Sequence, residues 1–550
     1  SLSYAGKINI NRLSLRDVSS FVPMFSDSEL SFAADVNIAG NDDILHVKHL
    51  NVHTPDNDMR LNVRAEIRRP FDNPAITANV NDLYCDYNVV ASLPENMKKG
   101  MADLLPIMEK AGFVGYKGSI SADGNHYEAN GMLQSGPGDI DLNFTANKGV
   151  VTLKAATNAF DLSKITAQNN LGNIAANLDV TCQTVGNDIK TADFNADISS
   201  FEYNGYRYNN ISAIGNYNNG SIDATLKVDD VNANIIAKGN LIKTSEGLKT
   251  VAEMTINNLN PSALRLTDSQ KGRTFKMNIS ADGIVSNKNP NLFNGILSLK
   301  DVVMTSEDMS YILENINISS SNERIAIDGD FGNAVLTGNN AIDNLAACIR
   351  KVVGTRLPSL CKDGGKTIGD INIDARLTDT EWAATFLNIP LRLYSDVYLN
   401  ASYNGKTGAF DMVCNADDIE YDGGRYENIR INGKTIDDTL AINGVLRKMI
   451  EGRRWVDLAL KASAANDKIN ADVKWKDNKQ GVFMGEIGAE TQLLNGNGAM
   501  PDFKTHLKPS RFVVNDTVWH VKPAEITSEN GNLIINNFAI EHNKQHLKIS

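Results

Sequence analysis

Lys468-Ile469-Asn470-Ala471-Asp472-Val473-Lys474-Trp475 alternates without exception, apolar at every odd position and polar at every even one. Successive side chains of an extended chain point to opposite sides, so this segment reads as a strand with one apolar and one wet face, half-buried in an antiparallel sheet. Ser221-Ile222-Asp223-Ala224-Thr225-Leu226-Lys227-Val228 repeats the pattern, and Ile174, Ala176, Leu178 and Val180 stand against Ala175, Asn177 and Asp179 in the same way. Val456, Leu458 and Leu460 share one side of a further strand, and Val397, Leu399 and Ala401 one side of another. Asp123-Gly124, Asn204-Gly205, Asn219-Gly220, Asp282-Gly283, Asn404-Gly405 and Asn432-Gly433 are the dipeptides of tight hairpin turns, so the strands are expected to run as a meander. The 14 prolines fall mostly between strands, where no ladder hydrogen bond is lost.

The chain also reiterates itself. Glu202-Tyr203-Asn204-Gly205-Tyr206-Arg207-Tyr208-Asn209-Asn210-Ile211 returns as Glu420-Tyr421-Asp422-Gly423-Gly424-Arg425-Tyr426-Glu427-Asn428-Ile429. In each copy the Gly is expected to open a tight turn, the tyrosines to pair across the hairpin, and Asn210 or Asn428 to seat the next strand. A coarser unit, a short helical turn opened by a capping residue and followed by an amphipathic strand, starts at Asp17, Asp161, Asn260 and Asp379. Its spacing is irregular, which describes a drifting module and not a fixed-period solenoid. Ile120-Ser121-Ala122-Asp123-Gly124 and Ile279-Ser280-Ala281-Asp282-Gly283 are a third, shorter echo. Two longer helices are expected: Pro94 to Lys110, with Met97, Met101, Leu104, Leu105 and Met108 on one stripe and a bend at Pro106, and Ala341 to Val353, with Ile342, Leu345, Ile349, Val352 and Val353 on one face. No low-complexity linker divides the chain. It reads as one continuous repetitive segment with approximate modules 1–113, 114–258, 259–376 and 377–550.

Composition bounds the rest. With 42% hydrophobic and 22% charged residues and 41 glycines, the 550-residue chain has the make-up of a folded protein. The net charge of −12, with Lys and Arg scattered, excludes the basic face that nucleic acid requires. No run of about 18–20 apolar residues, the length a membrane helix needs, occurs, and the first residues carry no signal region. The segment is therefore expected to be soluble and to be the interior of a longer chain. Five cysteines, Cys85, Cys182, Cys348, Cys361 and Cys414, are too few and too dispersed for a disulfide scaffold or a zinc ribbon; Cys348 and Cys361 could bridge a helix and its following loop.

Several chemistries fail on spacing. In a regular strand His46 would face away from His49 and His53, and the latter two would lie about 13 Å apart at 3.3 Å per residue, too far to share a metal. Gly364-Gly365-Lys366-Thr367 resembles the end of a phosphate loop, but Leu360 stands where its first glycine belongs. Asp328-Gly329-Asp330 opens like a calcium loop and then places Asn333 and Asn339 at the glycine and bidentate-glutamate positions. Acid pairs such as Asp229-Asp230 and Asp417-Asp418 are read as solvated strand faces or guards on a sheet edge. No catalytic residue, metal or cofactor is expected.

The two Tyr-x-Gly hairpins, the helical-turn-then-strand unit, and the tail Lys508-Pro509-Ser510-Arg511-Phe512-Val513-Val514-Asn515-Asp516-Thr517-Val518-Trp519, continuing to Asn537-Phe538 and His542 to Gln545, together resemble the TamB members of the AsmA-like superfamily, of the Bacteroidota type. That resemblance implies an all-β chain with a few short helices, an elongated and mostly antiparallel sheet curled into a U-shaped hydrophobic groove of the bridge-like lipid-transfer type. It further implies a periplasmic protein anchored in the inner membrane by a helix outside this segment. Its partners would be phospholipid and an outer-membrane barrel of the assembly-factor type, with no docking domain for that barrel recognisable here.

Alternation alone leads to a compatible expectation. Apolar strand faces in series must close on something, since exposure costs about 25 cal/mol per Å². A sheet of a few dozen strands spaced about 4.8 Å would extend on the order of 100 Å. The residues expected to line the groove are Ile174, Leu178, Val180, Ile222, Leu226, Val228, Val397, Leu399, Leu458, Leu460, Ile469 and Val473. Three functions compete: a lipid conduit without chemistry, a scaffold that pairs client strands with a sheet edge during outer-membrane protein assembly, and an extracellular array of β-sandwiches. The array would need a buried Trp in each domain, and four tryptophans at irregular spacing, Trp382, Trp455, Trp475 and Trp519, count against it. A transmembrane barrel lacks its aromatic girdles at 7% unpatterned aromatics.

Overall fold

In the computed structural model, residues 3–19, 28, 30–102, 104–186, 188–287, 293–307, 309–338, 341–361, 368–387, 389–450, 454–479, 482–494, 501–529 and 532–549 are described. They form 36 strands, β1 to β36 in chain order, and a few short helices, so the chain is all-β. Contacts cluster into two units. One comprises Ser1–Ser245 and Thr250–Lys276, the other Glu246–Lys249 and Met277–Ser550.

In the first unit β1 (Tyr4–Ser14) through β14 (Ala233–Lys243) form an unbroken antiparallel meander in which each strand pairs with the next. β1 pairs only with β2 (Ser31–Gly40) among the described residues, so this sheet is open. In the second unit β17 (Phe293–Thr305) to β21 (Ile371–Leu377) continue in the same manner, then β23 (Val397–Tyr403) to β29 (Phe483–Leu494). At β29 this sheet forks. The second half of β29 pairs with β30 (Asp502–Leu507), which leads to β33 (Ala524–Glu529) and β34 (Asn532–Asn536); its first half pairs with β31 (Ser510–Val514), which leads to β32 (Thr517–Val521), β35 (Phe538–His542) and β36 (Gln545–Ile549).

Both copies of the Tyr-x-Gly hairpin close through two consecutive left-handed residues, Asn204 (φ +50°) with Gly205 (+72°) and Asp422 (+49°) with Gly423 (+72°), the backbone of a type I′ turn. Tyr203 faces Tyr206 in the first copy; in the second, Tyr421 faces Gly424. Asn210 and Asn428 are left-handed as well. Two expected turns are not turns. Gly283 lies inside β16 (Thr274–Ser286) and Gly433 inside β25 (Gly424–Ile436). At Gly283 a Cβ would come within 2.4 Å of the Asn294 carbonyl, so the glycine serves close strand approach there.

A bulge overturns the histidine geometry. Asn37 lies opposite His49 but Ile38 opposite Val47, an extra residue in β3 (Ile44–His53) that reverses the alternation. His46, His49 and His53 therefore emerge on the same, polar face. No group of three or more metal-ligating residues forms among the described residues. The Met-rich helix expected over Pro94 to Lys110 is broken up, into α2 (Glu95–Lys98), a 3-10 turn at Lys99–Met101 and α3 (Leu105–Ala111), and is preceded by a short α1 (Tyr87–Ala91). Pro106 does not bend a helix; it occupies the first turn of α3, where its missing N–H costs nothing.

All four recurring helical turns carry a side-chain cap, three of them from the expected residue. Asp161 accepts from Ser163 N at 3.0 Å at the start of α4 (Leu162–Thr166), and Asp379 accepts from Glu381 N at 2.8 Å ahead of α6 (Glu381–Leu387). Residues 260–266 form capped turns without a helix, with Asn260 Oδ1 accepting from Ala263 N at 3.0 Å. The first unit's turn is a 3-10 segment at Leu15–Val18 capped by Ser14, upstream of the Asp17 expected to open it. α5 (Ala341–Gly354) matches its expected span, but Ile349 is 60% exposed and lies off the packed face. Cys348 and Cys361 are both thiols, so the considered bridge is not formed in this structure. The 364–367 turn and Asn339 lie outside the described residues.

Candidate functional site

Residues directly opposite one another on paired strands share a face of the sheet. Following these pairs across the first unit links Ile8, Val36, Leu50, Val63, Val80, Gly118, Gly131, Leu142, Ala155, Leu178, Ala196, Ala213, Leu226 and Ala237, one position from each of β1 to β14. No polar side chain interrupts the row. In the second unit Leu297, Ile318, Ile327, Ala334, Ala375, Leu399, Cys414, Ile431, Gly444, Leu460, Val473 and Ile487 are joined in the same way. Bulges such as that in β3 keep the rows in register where plain alternation would have lost them.

All twelve residues singled out from sequence fall on these apolar faces. Ile174 lies between Phe160 and Phe201, Val180 between Leu153 and Phe194, Ile222 between Tyr217 and Leu241, and Val228 between Ile211 and Ile235. Val397 lies between Leu377 and Ala416, Leu458 between Leu446 and Trp475, and Ile469 between Ala464 and Thr491. Leu178, Leu226, Leu399, Leu460 and Val473 belong to the two rows already traced.

These faces are incompletely covered. Ile8 is 51% exposed, Leu226 40%, Leu460 39% and Val473 36%. The whole chain exposes 32367 Å², whereas 59.9 kDa folded as one compact body would expose about 19,000 Å², and as two about 23,000 Å². Cover exists in places, Val80 of the first row itself being 7% exposed. In the first unit Tyr116 and Val80 are buried near the α1–α3 insertion, itself sealed by Val89, Val90 and Ala111. In the second, α5 sets Ala347, Cys348 and Val352 against Ile371, Tyr403 and Leu440 at one end of the strands.

The opposite face is polar and laced with ion pairs, among them Lys154–Asp179 at 3.0 Å, Arg447–Asp457 at 2.7 Å and Lys474–Glu486 at 3.0 Å. A depression of about 510 Å³ opens there, its two rows Val445, Ala459, Lys474, Glu486, Arg511 and Arg447, Asp457, Lys476, Met484, Val513. The acid pairs noted in the sequence are held structurally: Asp418 receives Arg425 Nε at 2.9 Å, Asp417 pairs with Arg430, and Asp230 is enclosed by donors. Burial raises the thiol pKa of Cys85, Cys348 and Cys414, the direction of unreactive cysteines.

Sequence reading missed Asp477, which is 5% exposed and shares the apolar face with Trp475. A charged residue at a strand end carries no sequence signal of burial. No helix among the described residues is long and apolar enough to cross a membrane. Comparison with protein-family models, curated proteins and solved structures finds no match.

Proposed function

We propose that this chain is a non-enzymatic carrier of phospholipid, whose acyl chains slide along the apolar faces while head groups stay wet. The observation that carries the reading is the continuity of the apolar rows, over fourteen strands in one unit and twelve in the other, with Ile8, Leu226, Leu460 and Val473 on them each more than a third exposed. Each sheet would bend about its apolar face into a U-shaped groove. Hydrophobic transfer of about 0.8 kcal/mol per buried methylene supplies binding without any chemistry. The resemblance to the TamB and AsmA-like proteins supports a place in the periplasm between two membranes, with an outer-membrane barrel as partner in the full-length protein.

The test is transfer of fluorescent phospholipid from donor to acceptor vesicles, together with native mass spectrometry for retained lipid. Leu226→Asp puts a charge on the first row at the thirteenth of its fourteen strands, between Ala213 and Ala237. It is expected to reduce transfer at least tenfold with the circular dichroism spectrum preserved. Undiminished transfer by that variant would refute the lane as placed.

A second reading, a scaffold for client strands, is favoured by the outer strand β34, whose Leu533 and Ile534 are 61% and 46% exposed. Proline at Ile534 would harm that activity and spare lipid transfer.

A further inference from the structure

β13 (Ser221–Asp230) and β28 (Lys468–Asp477) carry the same face: Ile222, Ala224, Leu226, Val228, Asp230 in one, Ile469, Ala471, Val473, Trp475, Asp477 in the other. Each is a run of four apolar side chains closed by an aspartate at the strand end, and each aspartate is 5% exposed. Their surroundings differ completely. Asp230 accepts from Tyr206 Oη at 2.5 Å, Asn209 N at 3.0 Å, Asn209 Nδ2 at 3.1 Å and Asn232 N at 2.9 Å. Among the described residues Asp477 has no donor on either carboxylate oxygen, and Trp475 Nε1, also buried, has no acceptor.

A buried carboxylate without partners is costly, and a donor brought from outside the chain is one way such a group is satisfied. Two acceptor oxygens and one N–H donor stand two residues apart on one strand face, about 7 Å along the strand. The Phe483 ring lies 6.0 Å from that of Trp475. Carboxylate plus aromatic faces is the chemistry that receives an ammonium group, and the indole N–H suits an anionic oxygen beside it.

We propose that Asp477 and Trp475 read the head of an amine-bearing zwitterionic phospholipid. The ammonium donates to the Asp477 oxygens and neutralises them, the phosphate accepts from Trp475 Nε1, and the acyl chains lie along Val473, Ala471 and Ile469. Asp230, already saturated, is the same position without a vacancy, so the first unit passes lipids regardless of head. This rests on the lipid-carrier reading.

The full chain is incubated with vesicles of equal parts phosphatidylethanolamine and phosphatidylglycerol, re-isolated, and its bound lipid quantified by native mass spectrometry. Wild type is expected to retain phosphatidylethanolamine in at least about tenfold preference, the worth of a charged hydrogen bond. Asp477→Asn should bring the ratio to that of the vesicles, Trp475→Phe should lower it, and Asp230→Asn should leave it unchanged. Lipid bound by wild type without head preference, or a preference surviving in Asp477→Asn, overturns this site and leaves the carrier standing. No lipid of either kind on wild type overturns the carrier reading itself.

Discussion

Asp230 shows how one side chain settles a hairpin. Burial drives its carboxyl pKa up, but the donors from Tyr206, Asn232 and Asn209 outweigh burial and hold it below the ordinary value. Two of those donors belong to the first Tyr-x-Gly copy, so the repeated motif anchors the strand end after next and does not merely pair tyrosines. A folded pKa below the unfolded one means that the carboxylate stabilises the fold above about pH 4 and that this contribution is lost as pH falls through the folded value. Tyr206→Phe is expected to cost about 1–3 kcal/mol in urea unfolding at pH 7. Asp230→Asn should flatten the acid limb of stability below about pH 4; an unchanged acid limb would mean that the network contributes nothing.

The same balance of local chemistry governs the elements. α4 is only five residues long and could not form alone, yet Asp161 caps it through Ser163 N and Ser163 Oγ. The hydrogen bond from Ser163 leads in placing the Asp161 pKa below its usual value. Asp161→Ala is expected to cost about 1 kcal/mol. It should speed hydrogen exchange at the Ala167 amide, which donates to Ser163 O at 2.9 Å, and exchange as slow as in wild type would refute the cap. Such elements also mark what the sequence discloses. Alternation in β13 and β28 is visible because period two needs no tertiary information, and so is the apolar face shared by the twelve residues singled out from sequence. The bulge at His49 was not, because an extra residue reverses faces without changing composition. Gly283 and Gly433 look like turns in a dipeptide code and are strand glycines, since only the neighbouring strand's approach distinguishes the two. Asp477 was invisible for the same reason: Asp230 ends an equivalent strand, and only the surrounding donors tell them apart.

For the molecule as a whole, the surface left open has a thermodynamic signature. The unfolded chain would expose about 87,000 Å², so a fold exposing 32367 Å² buries roughly a fifth less than a compact protein of the same mass. Both the heat-capacity change and the denaturant m-value scale with area exposed on unfolding. Each should fall short of the compact expectation by about that fraction. On the carrier reading proposed above, phospholipid held on the rows would bind the folded chain and not the unfolded one, and is therefore expected to raise Tm by linkage. It must also enlarge the heat-capacity change, since melting then exposes lipid-covered rows along with the core. Leu460→Asp, in the second unit's row between Gly444 and Val473, should diminish both lipid effects while leaving the lipid-free transition nearly in place. Differential scanning calorimetry with and without short-chain phospholipid below its micellar concentration measures all of these. A lipid-free heat-capacity change equal to that of a compact 59.9 kDa protein, with Tm indifferent to lipid, would mean that the rows are sealed in solution and that nothing slides along them.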